Sequence, residues 1–108
     1  MTVEIGRPSA HVAEVIMNRP EAMNALSTDQ LRRLKSAATQ LAADDQISVV
    51  IISSALDSAF CVGADLKERR GFGNDDLRRQ RLVVQETFAA LLGLPVPVIA
   101  TVEGFALG

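Results

Sequence analysis

A chain of 108 residues, 48% hydrophobic and 22% charged, has the composition of one modest folded domain and not of a disordered segment. With 11 basic against 13 acidic residues the formal net charge is -2, which argues against a surface built for nucleic-acid phosphates, since that requires net or clustered positive charge. The single cysteine, Cys61, can make neither an intrachain disulfide nor a multi-thiolate metal site, so no metal is expected and a reducing compartment, the cytoplasm, is.

The opening MTVEIGRPSAH has no apolar core followed by a small-residue cleavage site, so it does not read as a secretory signal. The longest strongly apolar run, residues 49–52, is far short of the roughly 20 residues that span a bilayer, so no membrane association is expected. Val12, Val15 and Ile16 form an apolar cluster before the turn signal Asn18-Arg19-Pro20 and predict a short strand. Ser27-Thr28-Asp29-Gln30 matches a capping box, the Ser27 hydroxyl accepting from the Gln30 amide while the Gln30 side chain reaches back. A helix from Thr28 to about Ala43 follows, with Leu31, Leu34, Ala38, Leu41 and Ala42 on one face.

The β-branched run SVVIIS, residues 48–53, does not alternate, as expected of a strand covered on both faces in a parallel sheet. The fold class is therefore α/β. Residues 74–92 predict a second long helix, capped by Asn74 or Asp75, with Leu77, Val84, Phe88, Leu91 and Leu92 as its apolar stripe and Gly93 as the residue after its end. Pro95 and Pro97 force an extended approach to VIATV, residues 98–102, a further buried-strand candidate broken by Gly104.

The loop at residues 59–68, AFCVGADLKE, follows a buried strand, where open α/β sheets tend to bind ligands. Gly63 permits a backbone shape closed to other residues, and Asp65 can cap a short helix over residues 66–70. That leaves the amides around Ala64 near a helix N-terminus, where fixed N–H groups favour developing negative charge. Taken alone, the same residues make an ordinary turn and N-cap. The end of the chain, TVEGFALG, repeats the theme of strand then glycine-punctuated apolar residues, and alone reads as a tight strand-to-helix turn.

Three segments in order are more specific than any one. NRPEAMNAL at residues 18–26 resembles the early motif of the crotonase (enoyl-CoA hydratase/isomerase) superfamily, FCVGADLKE at 60–68 its central motif, and PVPVIATVEGFALG at 95–108 the approach to its glycine-rich turn. The resemblance implies a spiral of ββα units, with residues 1–108 as the N-terminal part of one crotonase-like domain ending before that turn is complete. It implies homotrimers or dimers of trimers that bind an acyl-CoA thioester, with no permanently bound cofactor, coenzyme A entering only as part of the substrate. Two backbone amides would hold the thioester oxygen and stabilise an enolate; Ala64 matches the first, and the second belongs to the glycine after the one matched by Gly108.

By the same resemblance, Val62, Ala64, Asp65, Leu66 and Lys67 match the stretch lining the adenine and pantetheine pocket, and Met23 and Ala25 match the early segment lining it. Lys67 is placed to meet a CoA phosphate or to stand solvated. Glu21 departs from the basic residue many relatives carry nearby and would repel phosphates unless it faces solvent, while Arg19 is read as a turn-surface residue. The two glutamates that the family's hydratases use for water and proton delivery have no counterpart here, and Glu103, before the turn, matches neither. GADLKERR with LPVPVIA is most similar to the methylglutaconyl-CoA hydratase branch, one member of which binds RNA through a lysine-rich segment. Residues 37–51, the corresponding part, carry no lysine or arginine, so nucleic acid is not an expected partner.

Cys61 lies beside the expected pocket, but the only histidine, His11, is remote in sequence, so a buried structural thiol is expected there and a surface position for His11. Arg69, Arg70, Arg78, Arg79 and Arg81 read as a solvated helix face. The leading function is thus an acyl-CoA hydratase or isomerase; a non-catalytic CoA-binding or assembly module is the alternative, and an RNA-binding protein stands behind both.

Overall fold

In the computed structural model, which describes residues 1–108, the chain runs β1 (Val3–Ser9), β2 (Val12–Met17), a 3-10 turn (Pro20–Ala22), α1 (Thr28–Ala42), β3 (Val49–Ser54), β4 (Ala59–Cys61), α2 (Leu66–Arg69), α3 (Asn74–Leu92), β5 (Val98–Ala100) and β6 (Phe105–Ala106). The order is that of ββα units: β1-β2-α1, then β3-β4 with α2 and α3, then β5-β6. First strands of the later units join the opening hairpin in one sheet, ordered β1-β2-β3-β5, while their second strands, β4 and β6, pair with each other. Only β1 and β2 are antiparallel; β2–β3, β3–β5 and β4–β6 are parallel, as strands joined through a helix must be.

Strand β2 alternates, burying Ala13, Val15 and Met17 against α1. These meet Val3, Leu34, Ala37, Leu41, Ile47 and Val50 in the core, with Cys61 and Leu94 closing it. Helix α1 carries a second buried edge, Leu31 and Ala38, on the side that packs on α3. No helix is long and apolar enough to cross a membrane.

Several sequence expectations change. Strand β1 is not among the predicted elements; it contains Gly6 and Pro8 and forms as an edge strand, bulged between Gly6 and Ser9, where a missing N–H costs no ladder bond. Half of the capping box forms: Ser27 Oγ accepts from the Gln30 amide at 3.1 Å, but the Gln30 amide group donates to the Thr2 carbonyl at 3.1 Å instead of reaching back. Helix α3 is capped by Gly73, not by Asn74 or Asp75, and the Gly73 amide donates to Asp76 Oδ2 at 3.0 Å. Gly93 ends it at φ -83, an ordinary conformation, and is the cap itself, not the left-handed residue beyond.

Burial differs more. Strand β3 buries Val50 and Ser53, which lie on opposite faces, and leaves Val49, Ile51 and Ile52 half-buried, so neither face is wholly covered. Strand β5 is exposed throughout, an edge strand hydrogen-bonded to β3 on one side. Helix α3 turns Gln80 and Thr87 toward α1, and its predicted apolar stripe is only partly covered: Val84 and Leu91 are half-buried, while Leu77, Phe88 and Leu92 are exposed at 41%, 46% and 86%. Phe88, Leu91 and Leu92 instead line an apolar hollow of about 400 Å³ with Ile52, Val96 and Val98. A polypeptide of these residues alone is expected to self-associate or bind hydrophobic dyes; a cooperatively melting monomer in sedimentation and calorimetry would contradict that.

Candidate functional site

The site grows from the turn after β4. Gly63 adopts φ +88, open to glycine at little cost, and a Cβ there would lie 2.9 Å from the Leu107 carbonyl oxygen and 3.0 Å from Gly108 Cα. Gly108, at φ +96, approaches as closely from the other side: its Cβ would fall 2.8 Å from Gly63 Cα and 3.8 Å from the Ala64 nitrogen. Pairing of β4 with β6, through the Leu107 amide to the Cys61 carbonyl at 2.9 Å, brings these turns together. The central motif and the glycine-punctuated end of the chain thus form one backbone cluster around Ala64.

The turn is clamped from below by the NRP segment. The Leu26 amide donates to the Gly63 carbonyl at 2.7 Å. Arg19 Nη1 donates to Asp65 Oδ2 at 2.8 Å and to the Ala25 carbonyl at 2.9 Å. Arg19 is therefore no turn-surface residue, its side chain being 21% exposed; the partner that holds it lies 46 residues away. Asn24, fully buried at φ 59, accepts from the Arg19 amide at 2.7 Å and donates to Ser54 Oγ at 2.8 Å and the Phe60 carbonyl at 2.9 Å. Met23 before it is also left-handed, at φ 50, so two successive residues without glycine's freedom shape this wall.

Asp65 caps α2 as expected, Oδ1 accepting from the Glu68 amide at 3.1 Å. Burial pushes its carboxyl up, but the Glu68 amide and the Arg19 guanidinium together outweigh that and hold it below the usual carboxylate range. A depressed folded-state pKa means the stabilisation is complete above the unfolded value of about 3.9 and is lost as pH falls through the lower folded one. Asp65→Asn is expected to cost about 1–3 kcal/mol at neutral pH and to flatten the acid limb of a stability-pH curve below about pH 4. An unchanged acid limb would remove Asp65 from that role.

All seven residues expected at the CoA side, Met23, Ala25, Val62, Ala64, Asp65, Leu66 and Lys67, line one cavity of about 730 Å³ together with Arg19, Glu21, Ala22 and Glu68. Glu21 sits 3.6 Å from Arg19 with its side chain 69% exposed, facing solvent. Lys67 is in no ion pair. Helix α2 spans only four residues, Leu66–Arg69, so its dipole is small and the useful polarity at Ala64 is the amide itself. That amide donates to none of the chain's loop, cap or side-chain acceptors.

A second cavity, of about 580 Å³, opens on the other side of Ala64 and is lined mostly by apolar groups, Leu26, Leu31, Phe60, Val84, Phe88 and Leu107 among them. Arg69, exposed as a solvated helix face implies, also lines it, with Nε donating to Gln80 Oε1 at 2.9 Å. Cys61 is buried in its wall; burial raises its thiol, and its Sγ donates to the Asn24 carbonyl at 3.2 Å, a structural placement. His11 is exposed, far from both cavities, with Nδ1 2.8 Å from the Gln46 carbonyl oxygen.

A sequence profile of the enoyl-CoA hydratase/isomerase family matches residues 7–108. YngF of Bacillus subtilis, assigned provisionally as an enoyl-CoA hydratase/isomerase, is 42% identical over 98 residues, covering 91% of this chain and 38% of its own length. The mitochondrial enoyl-CoA hydratase domain-containing protein 2 of Mus musculus is 38% identical across 94% of this chain and 34% of its own. The crystal structure of enoyl-CoA hydratase from Bacillus anthracis superposes with a TM-score of 0.95 at 35% identity, over all of this chain and 42% of that one. The chain thus spans between about a third and two fifths of the length of these proteins.

Proposed function

This chain belongs to the enoyl-CoA hydratase/isomerase family, the crotonase superfamily, and corresponds to the N-terminal portion of its fold; from that premise we propose that the protein carrying it acts on acyl-CoA thioesters by stabilising a thioester enolate. Ala64 supplies one of the two amides that hold the thioester oxygen. The observation that carries this reading is that Ala64 alone lines both cavities while its amide is unused. A thioester whose carbonyl oxygen meets that amide would extend its acyl chain into the apolar cavity and its pantetheine and nucleotide into the polar one. An amide fixed by surrounding hydrogen bonds needs no reorganisation as negative charge develops on the oxygen, which is why such donors lower barriers.

On the nucleotide side Lys67 is the cation left to meet a phosphate, since Arg19 is spent on Asp65 and Glu21 points outward. The reading extends to one crotonase-like domain of which this chain forms the N-terminal part, to assembly as trimers or dimers of trimers, and to hydration or isomerisation of an enoyl thioester. The deciding experiment is turnover of crotonyl-CoA by the full-length protein, followed as loss of the conjugated thioester absorbance, with calorimetric titration of the same compound. Binding with turnover is expected. Binding without turnover would leave a non-catalytic CoA module, and no binding would sink the proposal.

A further inference from the structure

Glu68 lines the polar cavity, yet its carboxylate is taken up by the chain's own donors. Oε1 accepts from the Thr28 hydroxyl at 2.7 Å, from the Thr28 amide at 3.1 Å and from Gln80 Nε2 at 2.8 Å, while Oε2 reaches only the Thr28 amide, at 3.3 Å. Thr28 is the first residue of α1, so its N–H is one of those a helix leaves without an internal partner; Ser27 Oγ serves that of Gln30. A carboxylate from α2 completes the cap, favoured there by the sign of the helix dipole. Gln80, on α3 and 2% exposed, also donates to Thr28 Oγ1 at 3.0 Å, which closes a ring through Thr28, Glu68 and Gln80. One oxygen on α2 thus ties three helices together.

Leu26 pairs with Ala64 in a parallel bridge, and its amide holds the Gly63 carbonyl at 2.7 Å. Two residues further on, Thr28 holds Glu68. The stretch 26–28 therefore grips the stretch 63–68 at both ends, and the Ala64 peptide hangs between the two grips, with Asp65 held on Arg19 as a pivot. Helix α2 has only four residues, so without the Glu68 grip nothing within it resists a swing about Asp65. The Ala64 N–H would swing with it. A donor loses its catalytic value once it must be turned into place as charge develops, and a displacement of about 1 Å costs on the order of 10²-fold in rate.

Resting on the reading of Ala64 as an oxyanion donor, we propose that Glu68 is a positioning residue, which sets the direction of the Ala64 N–H by locking α2 to Thr28 and Gln80. The experiment uses the full-length protein and measures kcat for crotonyl-CoA per site, the sites being counted by calorimetric titration with butyryl-CoA, the saturated counterpart, so that unfolded protein does not enter. Glu68→Ala is expected to lower kcat by about 10- to 100-fold and to change butyryl-CoA affinity by no more than about threefold, because the ground-state carbonyl asks less of the amide. Glu68→Gln is expected to stay within about threefold of the wild type in kcat, since a carbonyl oxygen in the place of Oε1 keeps all three donors. Glu68→Asp keeps the charge but falls one methylene short, and should resemble Glu68→Ala. A Glu68→Ala variant with wild-type kcat, or one whose butyryl-CoA affinity falls as far as its kcat, overturns the proposal. If Glu68→Ala does not fold, the other two variants decide, equal kcat in both counting against it. Absence of wild-type turnover overturns the catalytic reading, and hydrogen exchange at the Leu26 amide then decides Glu68 by itself: exchange about 10-fold faster in Glu68→Ala is expected, and an unchanged rate overturns the proposal.

Discussion

Replacing Ala64 by proline is expected to lower kcat for crotonyl-CoA by about 10²- to 10³-fold, the usual consequence of deleting one oxyanion donor. The substitution removes the N–H and sets the proline ring carbon where that hydrogen pointed, so no donor is left to the thioester oxygen. No other group in the chain uses that amide, so no internal hydrogen bond is lost with it. The residue before it is Gly63, whose missing Cβ makes it the least crowded neighbour for a proline ring. Ala64→Gly serves as the control, since it keeps the amide, and should stay within a few-fold of the wild type. Affinity for a saturated acyl-CoA should fall much less than kcat, because the ground-state carbonyl carries less charge than the enolate. A proline variant with kcat close to that of the wild type would take Ala64 out of the reaction.

Asn24→Ala is expected to destabilise the fold by about 3–5 kcal/mol, the largest effect of any polar substitution here, since the losses of several buried partners add to backbone strain. The Asn24 side chain is fully buried and serves the Arg19 amide, Ser54 Oγ and the Phe60 carbonyl at once. Alanine leaves the Arg19 amide and the Phe60 carbonyl without that partner. It must also hold φ 59, which asparagine tolerates better than alanine. Asn24→Gly relieves the second penalty but not the first, so it should melt above Asn24→Ala by about 1 kcal/mol of stability. Chemical denaturation of the two variants in the full-length protein tests the split. Equal stabilities would mean that the hydrogen bonds carry the whole effect.

What the sequence makes legible follows from how local each cause is. Helix α1 is read almost to the residue because Ser27 and the 3.6-residue spacing of Leu31, Leu34, Ala38 and Leu41 act within one element. Helix α3 is read to its ends but not to its inward face. Its apolar stripe is real, yet what turns toward α1 is Gln80 and Thr87, held by Thr28, Glu68 and the Leu31 carbonyl, partners at least 12 residues away in the chain. Strands β4 and β6, three and two residues long, have no pattern to detect and exist only because the loops after β3 and β5 come to lie side by side. The seven cavity residues were accessible through the motifs, which encode a shared backbone path. Arg19 was not, because whether an arginine is solvated or anchored is decided by an acid contributed from another unit, here Asp65.

The contact between Gly63 and Gly108 puts an unusual requirement on the gene. The groups that meet there are main-chain atoms, and a third close approach, at Gly104, would set a Cβ 2.2 Å from the Ser58 carbonyl oxygen at φ +70. What must be preserved at these positions is the absence of a side chain. Codons for Gly63, Gly104 and Gly108 therefore have no synonymous chemistry to drift into, whereas the length of each ββα unit sets the register at which the bare backbones meet. A one-residue insertion between Ser58 and Gly63 would be felt across the contact as a displacement of the Ala64 amide, even if every cavity side chain were kept.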